Sequence, residues 1–289
     1  MKVSGKEMRM LVVLVSSLLG AMAVLGQANP APTPASPAAT PTDNSKTPQV
    51  SPLTLDSAPP PVSAEEDAAI KVFRDTKVDD SAKKDQAAEQ FLQKYPESRY
   101  RAEVYNWQVK SYFSKQQIDK MEAVADKELE LAPNDAQTLA IVGSSLPRVM
   151  NASTLEPQKR LAKAEQFCQK ALDLLPTLAK PDGVSDELFL NAKNQMAAMA
   201  YSGLGVVAYR RGKYADAIPN FEQSVKLDPQ PDPVNYYLLG LSNEKASHFD
   251  DAAAAFTKCA AIPGAVQATC KQSVEEAKKL GATQLSAPK

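Results

Sequence analysis

The sequence predicts an all-α protein in which antiparallel helix pairs stack into a solenoid. Residues 198–263 contain one pattern twice, at a spacing of 35 residues, and each copy has two helix-length segments around a short polar turn. The matching positions are Leu204-Gly205 with Leu239-Gly240, Tyr214 with Phe249, Ala217 with Ala252, Phe221 with Phe256, and Ser224 with Cys259. Small residues recur where two helices would cross closely, and a proline, Pro229 or Pro263, closes each copy. Self-similarity at this period is typical of helical repeats that bury their apolar faces against each other.

The first copy carries the more specific motif. From Leu204 to Pro229 the chain reads LG…GxYxxAxxxFxxxxxLxP, which resembles the tetratricopeptide repeat (TPR) family. The resemblance implies a right-handed superhelix of antiparallel helix pairs. It also implies a concave groove lined by the first helix of each pair, and a role in binding proteins.

The N-terminal residues predict export. Residues 1–28 combine three basic residues with an apolar run from Met10 to Leu25 and small residues after it, which is the pattern of a secretory signal peptide. The run is short for a membrane span, although an uncleaved anchor in the inner membrane stays open. Residues 29–62 contain ten prolines in 34 residues and are predicted to form a disordered linker. We therefore expect a periplasmic or cell-envelope location.

Weaker copies of the repeat precede the two clear ones. Ser63–Pro96 is predicted to be a helix pair that opens with a capping box of Ser63 and Glu66, and Ala102–Asp135 is predicted to be the next pair. The join between them, Tyr95-Pro96-Glu97-Ser98-Arg99-Tyr100, resembles the join in exported TPR proteins of bacterial envelopes. The leader lacks the lipid-anchor cysteine of the lipoprotein members of that group.

A third, irregular pair is expected to start at Ala136. Pro147 should end its first helix early, because proline disfavours helix at the residue before it, and residues 148–155 would then form a loop. Ser153 and Glu156 form a predicted capping box for the second helix. One face of that helix is apolar and carries Leu161, Ala164, Cys168, Ala171 and Leu175.

A second loop is predicted at Thr177–Val184, and after it Ser185–Arg211 predicts one helix about 39 Å long, roughly twice the usual repeat length. The extra N-terminal half is apolar at helical spacing through Leu188, Phe189, Ala192 and Met196. Two interpretations stay open for this half. Either it packs on the two irregular loops, or it forms a surface for a partner or a second copy.

A capping helix is predicted over Val266–Leu280, because an apolar stripe on one side and charges on the other suit the exposed end of a solenoid. Gly281 should stop this helix, and residues 282–289 should form a flexible tail. The helical-repeat domain is thus predicted to span residues 63–281, as five pairs and a cap.

Few residues could support catalysis. The single histidine, His248, is predicted to lie in an exposed turn, and a Ser/His or Cys/His nucleophile pair would need it. The sequence shows no glycine-rich phosphate loop and no zinc-ligand spacing. The chain has 33 basic and 34 acidic residues, and without the predicted signal 30 and 33 remain, a balance of about −3 that does not favour nucleic acid. We expect no enzymatic activity, no cofactor and no bound metal.

The remaining functional candidates are groove positions that the TPR resemblance assigns. They are Asn106, Lys110, Phe113, Met199, Ser202, Val206, Tyr209, Tyr237, Leu241 and Glu244. Most are apolar or aromatic, which fits a helix or an extended peptide. The acidic chaperone C-terminus that cytosolic TPR adaptors bind with basic residues is not supported. The alternative is that several of these residues pack against neighbouring helices.

The cysteines matter if the compartment is oxidising. Cys259 and Cys270 lie on opposite sides of the Pro263-Gly264 turn, so antiparallel neighbours could bring them within disulfide range. Cys168 would then stay a buried free thiol. The other open interpretation is that all three cysteines are reduced.

These observations predict a non-catalytic scaffold or adaptor of the cell envelope that binds a protein or peptide in its groove. The alternative is a structural subunit of an obligate envelope complex, assembled through the long helix 185–211, and a homo-oligomer also stays open. An enzyme or a small-ligand binder is the least supported class.

Overall fold

The structure is a computed structural model that describes residues 63–151 and 153–286. Within these residues the chain forms eleven α-helices and no strand, and successive helices pack against each other. The helices are α1 (Ala64–Asp75), α2 (Ser81–Lys94), α3 (Arg101–Ser114), α4 (Ile118–Leu131), α5 (Ala136–Val149), α6 (Pro157–Leu174), α7 (Asp186–Arg210), α8 (Tyr214–Leu227), α9 (Pro233–Lys245), α10 (Phe249–Ala261) and α11 (Gln267–Ser286). Five pairs and a last helix confirm the predicted all-α solenoid with a C-terminal cap.

Part of the predicted organisation lies outside the described residues. This holds for the signal peptide at 1–28, for the linker at 29–62 and for the last three residues of the predicted tail. Among the helices that the structure describes, none has the length and apolar character needed to cross a membrane.

The first pair begins with a cap at the predicted residue. Ser63 Oγ accepts a hydrogen bond from the backbone N–H of Glu66 at 3.1 Å. The Glu66 carboxylate was expected to return to Ser63, but it accepts from Ser98 Oγ at 2.5 Å. Ser98 is buried in the join between α2 and α3, so this hydrogen bond ties the join to the first helix.

Glycine sets the distance between the helices of the last two pairs. A Cβ atom added at Gly205 would stand 2.7 Å from Phe221 Cε1, and one added at Gly240 would stand 2.5 Å from Phe256 Cδ1. Carbon atoms in contact prefer about 3.5–4.0 Å, so no larger residue fits at this spacing. Both phenylalanines are fully buried. The small and large positions of the repeat therefore meet at the helix crossings, as the sequence predicted.

Three helices converge on one sulfur atom in the middle of the array. A Cβ atom added at Gly143 of α5 would stand 2.6 Å from Cys168 Sγ of α6, and one added at Gly203 of α7 would stand 2.4 Å from it. Cys168 is a fully buried free cysteine. Burial raises the pKa of its thiol to about 12, so the thiol stays protonated at neutral pH.

The prediction that Pro147 ends the first helix of the third pair is wrong. Helix α5 continues to Val149 with Pro147 inside it. Leu146, the residue that proline disfavours in a helix, is fully buried in an apolar cluster that keeps it helical. The proline ring removes one backbone hydrogen bond, which the Gly143 carbonyl would have accepted. That carbonyl faces α7, where a Cβ atom added at Gly203 would stand 2.9 Å from it.

The predicted capping box of Ser153 and Glu156 is also wrong. Helix α6 starts with Pro157, whose fixed φ and missing N–H suit a first helical position. Glu156 has a left-handed backbone, with φ at 47°, and its side chain makes no cap. Ser153 turns back to Asn151, because its backbone N–H and its Oγ donate to Asn151 Oδ1 at 2.9 and 2.6 Å.

The long helix predicted after the second loop is present as α7, with 25 residues. Its N-terminal half packs on the second loop, since Met196 and Leu178 share one apolar cluster. The first loop lies at the opposite end, where Arg210 Nη2 donates to the Met150 carbonyl at 2.9 Å. The helix therefore contacts both irregular loops, but through its two different ends.

Helix α11 covers the exposed end of the array. Its apolar stripe is buried through Cys270, Val274 and Ala277, but it does not stop at Gly281 as predicted and continues to Ser286. Glycine ends a helix by adopting a positive φ, and among the described glycines only Gly183 and Gly212 do so. The predicted flexible tail is therefore helical from residue 282 to Ser286.

A disulfide joins the cap to the last pair. Cys259 of α10 and Cys270 of α11 are both fully buried, and their Cα atoms are 5.8 Å apart. The bond spans 11 positions of sequence, so it closes a short loop around the turn between the two helices.

One buried carboxyl group lacks a full set of partners. Glu128 of α4 is 1% exposed, and its Oε2 has no hydrogen-bond partner among the described residues. Burial and then the charge of Asp135 raise the pKa of Glu128 to about 8, against a hydrogen bond from Thr138 and the charge of Lys110. The carboxyl group is therefore largely protonated in the folded protein at neutral pH.

We expect one free thiol per chain when protein from its native compartment is denatured without reductant, and we expect that thiol to be Cys168. Reducing the disulfide should lower the free energy of unfolding by up to about 3 kcal/mol, because a closed short loop restricts the unfolded chain. The Cys259→Ser/Cys270→Ser variant should lose this sensitivity to reductant, and Cys168→Ala should keep it. Three free thiols in the native protein would refute the pairing.

Replacing Gly240 by leucine should force α9 and α10 apart and lower the free energy of unfolding by about 1–3 kcal/mol. The matched control is Gly281→Ala, because a Cβ atom there would stand 3.4 Å from Phe249 Cβ, an ordinary contact. Alanine in a helix is favoured over glycine by up to about 1 kcal/mol, so the control should be stabilised. Urea unfolding followed by circular dichroism distinguishes the two, and an unchanged Gly240→Leu variant would contradict the crossing.

Glu128→Gln should remove a pH dependence of stability. A carboxyl group with an unfolded pKa near 4.5 and a folded pKa of about 8 stabilises the fold fully below about pH 4.5 and loses that contribution as pH rises to about 8. As the pH rises through this window, the free energy of unfolding of the glutamine variant should therefore increase relative to that of the wild type. At pH 9 the difference should be at least about 1.4 kcal/mol, the value of one pKa unit. The exposed neighbour Glu130→Gln serves as control, and parallel stability curves for Glu128→Gln and wild type would sink the assignment.

Candidate functional site

A cavity of about 500 Å³ opens on the face of the array that the first helices of the pairs form. Helices α3, α5, α7 and α9 contribute side chains, together with Ser224 of α8, the loop between α8 and α9, and the turn between α10 and α11. The volume lies within the range of roughly 300–1,000 Å³ that is typical of ligand pockets. The cavity is therefore large enough to enclose part of a bound molecule.

One side of the cavity is apolar. Ile141 of α5 and Met196 and Met199 of α7 form it, and Phe113 of α3 and Ile262 extend it. Helices α5 and α7 lie close together because glycine stands at their contact, as described above. Methionine side chains are flexible and fill irregular gaps, so this wall can adapt to side chains of different shape.

The floor is polar and is organised by Arg148 near the end of α5. Its Nη1 donates to Asp232 Oδ2 at 3.1 Å, and its Nη2 donates to Ser202 Oγ and to Asn235 Oδ1, both at 2.6 Å. The side chains of Arg148 and Asp232 are 18% and 20% exposed. The guanidinium group therefore links the third pair to the fourth and fifth pairs beneath the cavity.

The network continues into the core. Asn235 Nδ2 donates to Ser224 Oγ at 3.0 Å, and Ser224 Oγ donates to the Ala198 carbonyl at 2.9 Å. Asp232 also caps α9, since its Oδ1 accepts from the backbone N–H of Val234 at 2.9 Å. Buried polar networks whose members are satisfied hold their side chains in fixed positions, so the floor is rigid where the apolar wall is adaptable.

Three of the predicted groove residues line this cavity. Phe113 and Met199 belong to the apolar side, and Ser202 belongs to the polar floor. Ser202 is 3% exposed, so it orients Arg148 and Asn235 and offers little surface of its own.

The two polar candidates of α3 lie elsewhere. Asn106 Nδ2 donates to Asp135 Oδ2 at 3.1 Å and to Thr138 Oγ1 at 3.3 Å, which ties α3 to the start of α5. Desolvation lowers the pKa of Lys110, opposed by the charges of Asp135 and Glu128. Asn106 therefore connects two helices, and Lys110 is a desolvated cation under the influence of two carboxyl groups.

The remaining candidates lie on α7 and α9, and all but one of them pack in apolar clusters with neighbouring helices. Val206 is 4% exposed in the core, and Leu241 is partly buried against two apolar clusters. The Tyr209 and Tyr214 rings meet edge to face with their centroids 5.4 Å apart, and the centroids of the Tyr237 and Phe256 rings are 5.8 Å apart. The last candidate, Glu244, lies in the final turn of α9, where its carbonyl accepts from Ser247 N at 3.0 Å.

Arg148, Asp232 and Asn235 were not among the sequence candidates. Arg148 was assigned to a loop because Pro147 was expected to end the helix, and it is the continuation of α5 that aims the guanidinium group at the floor. Asp232 follows Pro231 and precedes Pro233, a position that predicts a helix cap but not a contact with the third pair. A polar Asn235 at the start of an otherwise apolar helix was the one available signal.

The other features that could indicate function are limited. His248 is exposed in the turn before α10, and across residues 63–151 and 153–286 no group of three or more His, Cys, Asp or Glu side chains could hold a metal ion. Leu188 and Leu190 of α7 are 65% and 57% exposed. Two positions along a helix differ by about 200°, so these leucines do not share one face.

Comparison with known proteins supports the repeat. Residues 198–231 match the tetratricopeptide repeat family model. The matched residues cover the C-terminal half of α7, all of α8 and the loop that carries Pro231, and they include the motif between Leu204 and Pro229. No curated protein matches the chain.

Proposed function

Because residues 198–231 match the tetratricopeptide repeat family model and the described chain is an array of antiparallel helix pairs, we propose that the protein is a non-catalytic scaffold or adaptor of the cell envelope that holds a segment of a partner protein in its cavity. The observation that carries this proposal is the cavity of about 500 Å³ on the face of the first helices. Its adaptable apolar wall suits the side chains of a peptide or helix. Its rigid floor lowers the ordering cost of binding.

The location in the envelope is supported by the first 62 residues. A basic start, an apolar run and a proline-rich stretch follow one another there, as expected for an exported domain on a tether. The disulfide between Cys259 and Cys270 agrees with an oxidising compartment.

Site-directed photo-crosslinking in the native cell tests the binding role. We expect a crosslinking amino acid at Gln195, which lines the cavity, to capture a defined protein partner. The same group at Glu222 of α8, which is exposed and does not line the cavity, serves as control and should capture none. Adducts at both positions alike would mean that the cavity has no special role. A third crosslinking amino acid, at the exposed Leu188 of α7, would favour an obligate complex assembled through the long helix if it alone captured a partner.

A further inference from the structure

The charges that line the cavity do not balance. Its charged side chains are Arg148, Asp228 and Asp232, so two carboxylates face one guanidinium group. Arg148 is already engaged by Asp232, Ser202 and Asn235. Its positive charge is therefore largely compensated before any ligand arrives.

Asp228 holds the surplus negative charge. It is the C-cap residue of α8, where the partial negative charge of the helix end already disfavours a carboxylate. Its Oδ1 accepts from the backbone N–H of Gln230 at 2.9 Å, and no described lysine or arginine forms an ion pair with it. Burial and then the charge of Asp232 raise the pKa of Asp228, so a cation beside it would relieve an unfavourable charge.

The apolar wall and this carboxylate border the same cavity. Met199, Phe113 and Ile262, which are only partly buried, offer the apolar contact. Asp228 lines the same cavity just after the end of α8. A ligand that contacts both the apolar wall and the Asp228 carboxylate must carry an apolar group and a positive charge close to each other.

We propose that the cavity binds a segment of a partner protein in which a lysine or arginine adjoins a large apolar side chain. The apolar side chain lies on the apolar wall of the cavity, and the cation lies beside Asp228. This rests on the proposed function, because it specifies the chemistry of the segment held in the concave cavity. The surplus negative charge disfavours an acidic segment, since Arg148 has no uncompensated charge to offer it.

Selection from a displayed library of random twelve-residue peptides tests the proposal, with the full mature chain as target. We expect the selected peptides to be enriched in lysine or arginine next to leucine, methionine or an aromatic residue. Replacing the basic residue of the best peptide by glutamine should weaken its binding about tenfold. Raising the salt concentration should weaken the basic peptide more than its glutamine version.

Variants locate the effect in the cavity. Asp228→Asn keeps an oxygen that can accept from Gln230 and removes the charge, so we expect the basic peptide to bind about tenfold more weakly. Gln195→Lys adds a positive charge to the same cavity and should act in the same direction. The controls are Asp216→Asn and Gln223→Lys, two exposed positions of α8, and both should bind as wild type. Melting temperatures verify that all four variants fold.

The outcomes are distinct. Selected peptides that are neutral or acidic, or an unchanged affinity for Asp228→Asn and Gln195→Lys, would overturn the inference while leaving peptide capture intact. A library that yields no binder would count against the proposed function itself. Displacement of the basic peptide by millimolar spermidine, together with an unchanged affinity when the adjoining apolar residue of the peptide is replaced by alanine, would show a site for small amines and would also overturn the inference.

Discussion

The close contact between a glycine on one helix and a large side chain on the next is the constraint on which the rest of this structure depends. Gly205 against Phe221 and Gly240 against Phe256 fix how near the two helices of a pair can lie. In the central pair Cys168 takes the position of the phenylalanine, because its side chain packs against two glycines, Gly143 and Gly203. Once these separations are set, the first helices of successive pairs form one continuous face. The cavity is the space that this face leaves open.

Much of the fold could be predicted because the glycine and phenylalanine positions are visible in the sequence. The second pair was harder to recognise, because the large and the small residue are exchanged. Its first helix carries Val109 where the clear pairs have glycine, and its second helix carries Ala125 where they have phenylalanine. Both are fully buried in one cluster. Helix ends were the least predictable feature. At Pro147 and at Gly281 a residue that usually stops a helix lies inside one. At Pro147 tertiary packing outweighs local preference, because Leu146 is fully buried. At Gly281 the flanking Leu280 is 42% exposed, so packing does not explain why the helix continues.

The site was predictable only in part, and the reason is geometric. A first helix presents one face to the cavity and others to its neighbours, and a rotation of one residue, about 100°, exchanges them. Phe113, Met199 and Ser202 line the cavity, although Ser202 is itself buried, whereas Val206 does not line it. The polar floor consists of residues that are far apart in the chain. Neither the repeat period nor the composition predicts which loop will contact which helix. Asp232 illustrates this, since its partner lies 84 positions earlier.

Arg148 and Arg210 also bear on how such a chain can change in evolution. Solenoids in which each repeat contacts only its neighbours can gain or lose whole repeats, because every interface resembles the next. Here Arg148 of the third pair is hydrogen-bonded to the start of the fifth pair, and Arg210 of the fourth pair is hydrogen-bonded to carbonyls at the end of α5, the first helix of the third pair. A repeat inserted between them would separate groups that are complementary only at this spacing. Insertion of a repeat between the third and fifth pairs is therefore disfavoured, and at the C-terminal end the disulfide-linked cap restricts growth further.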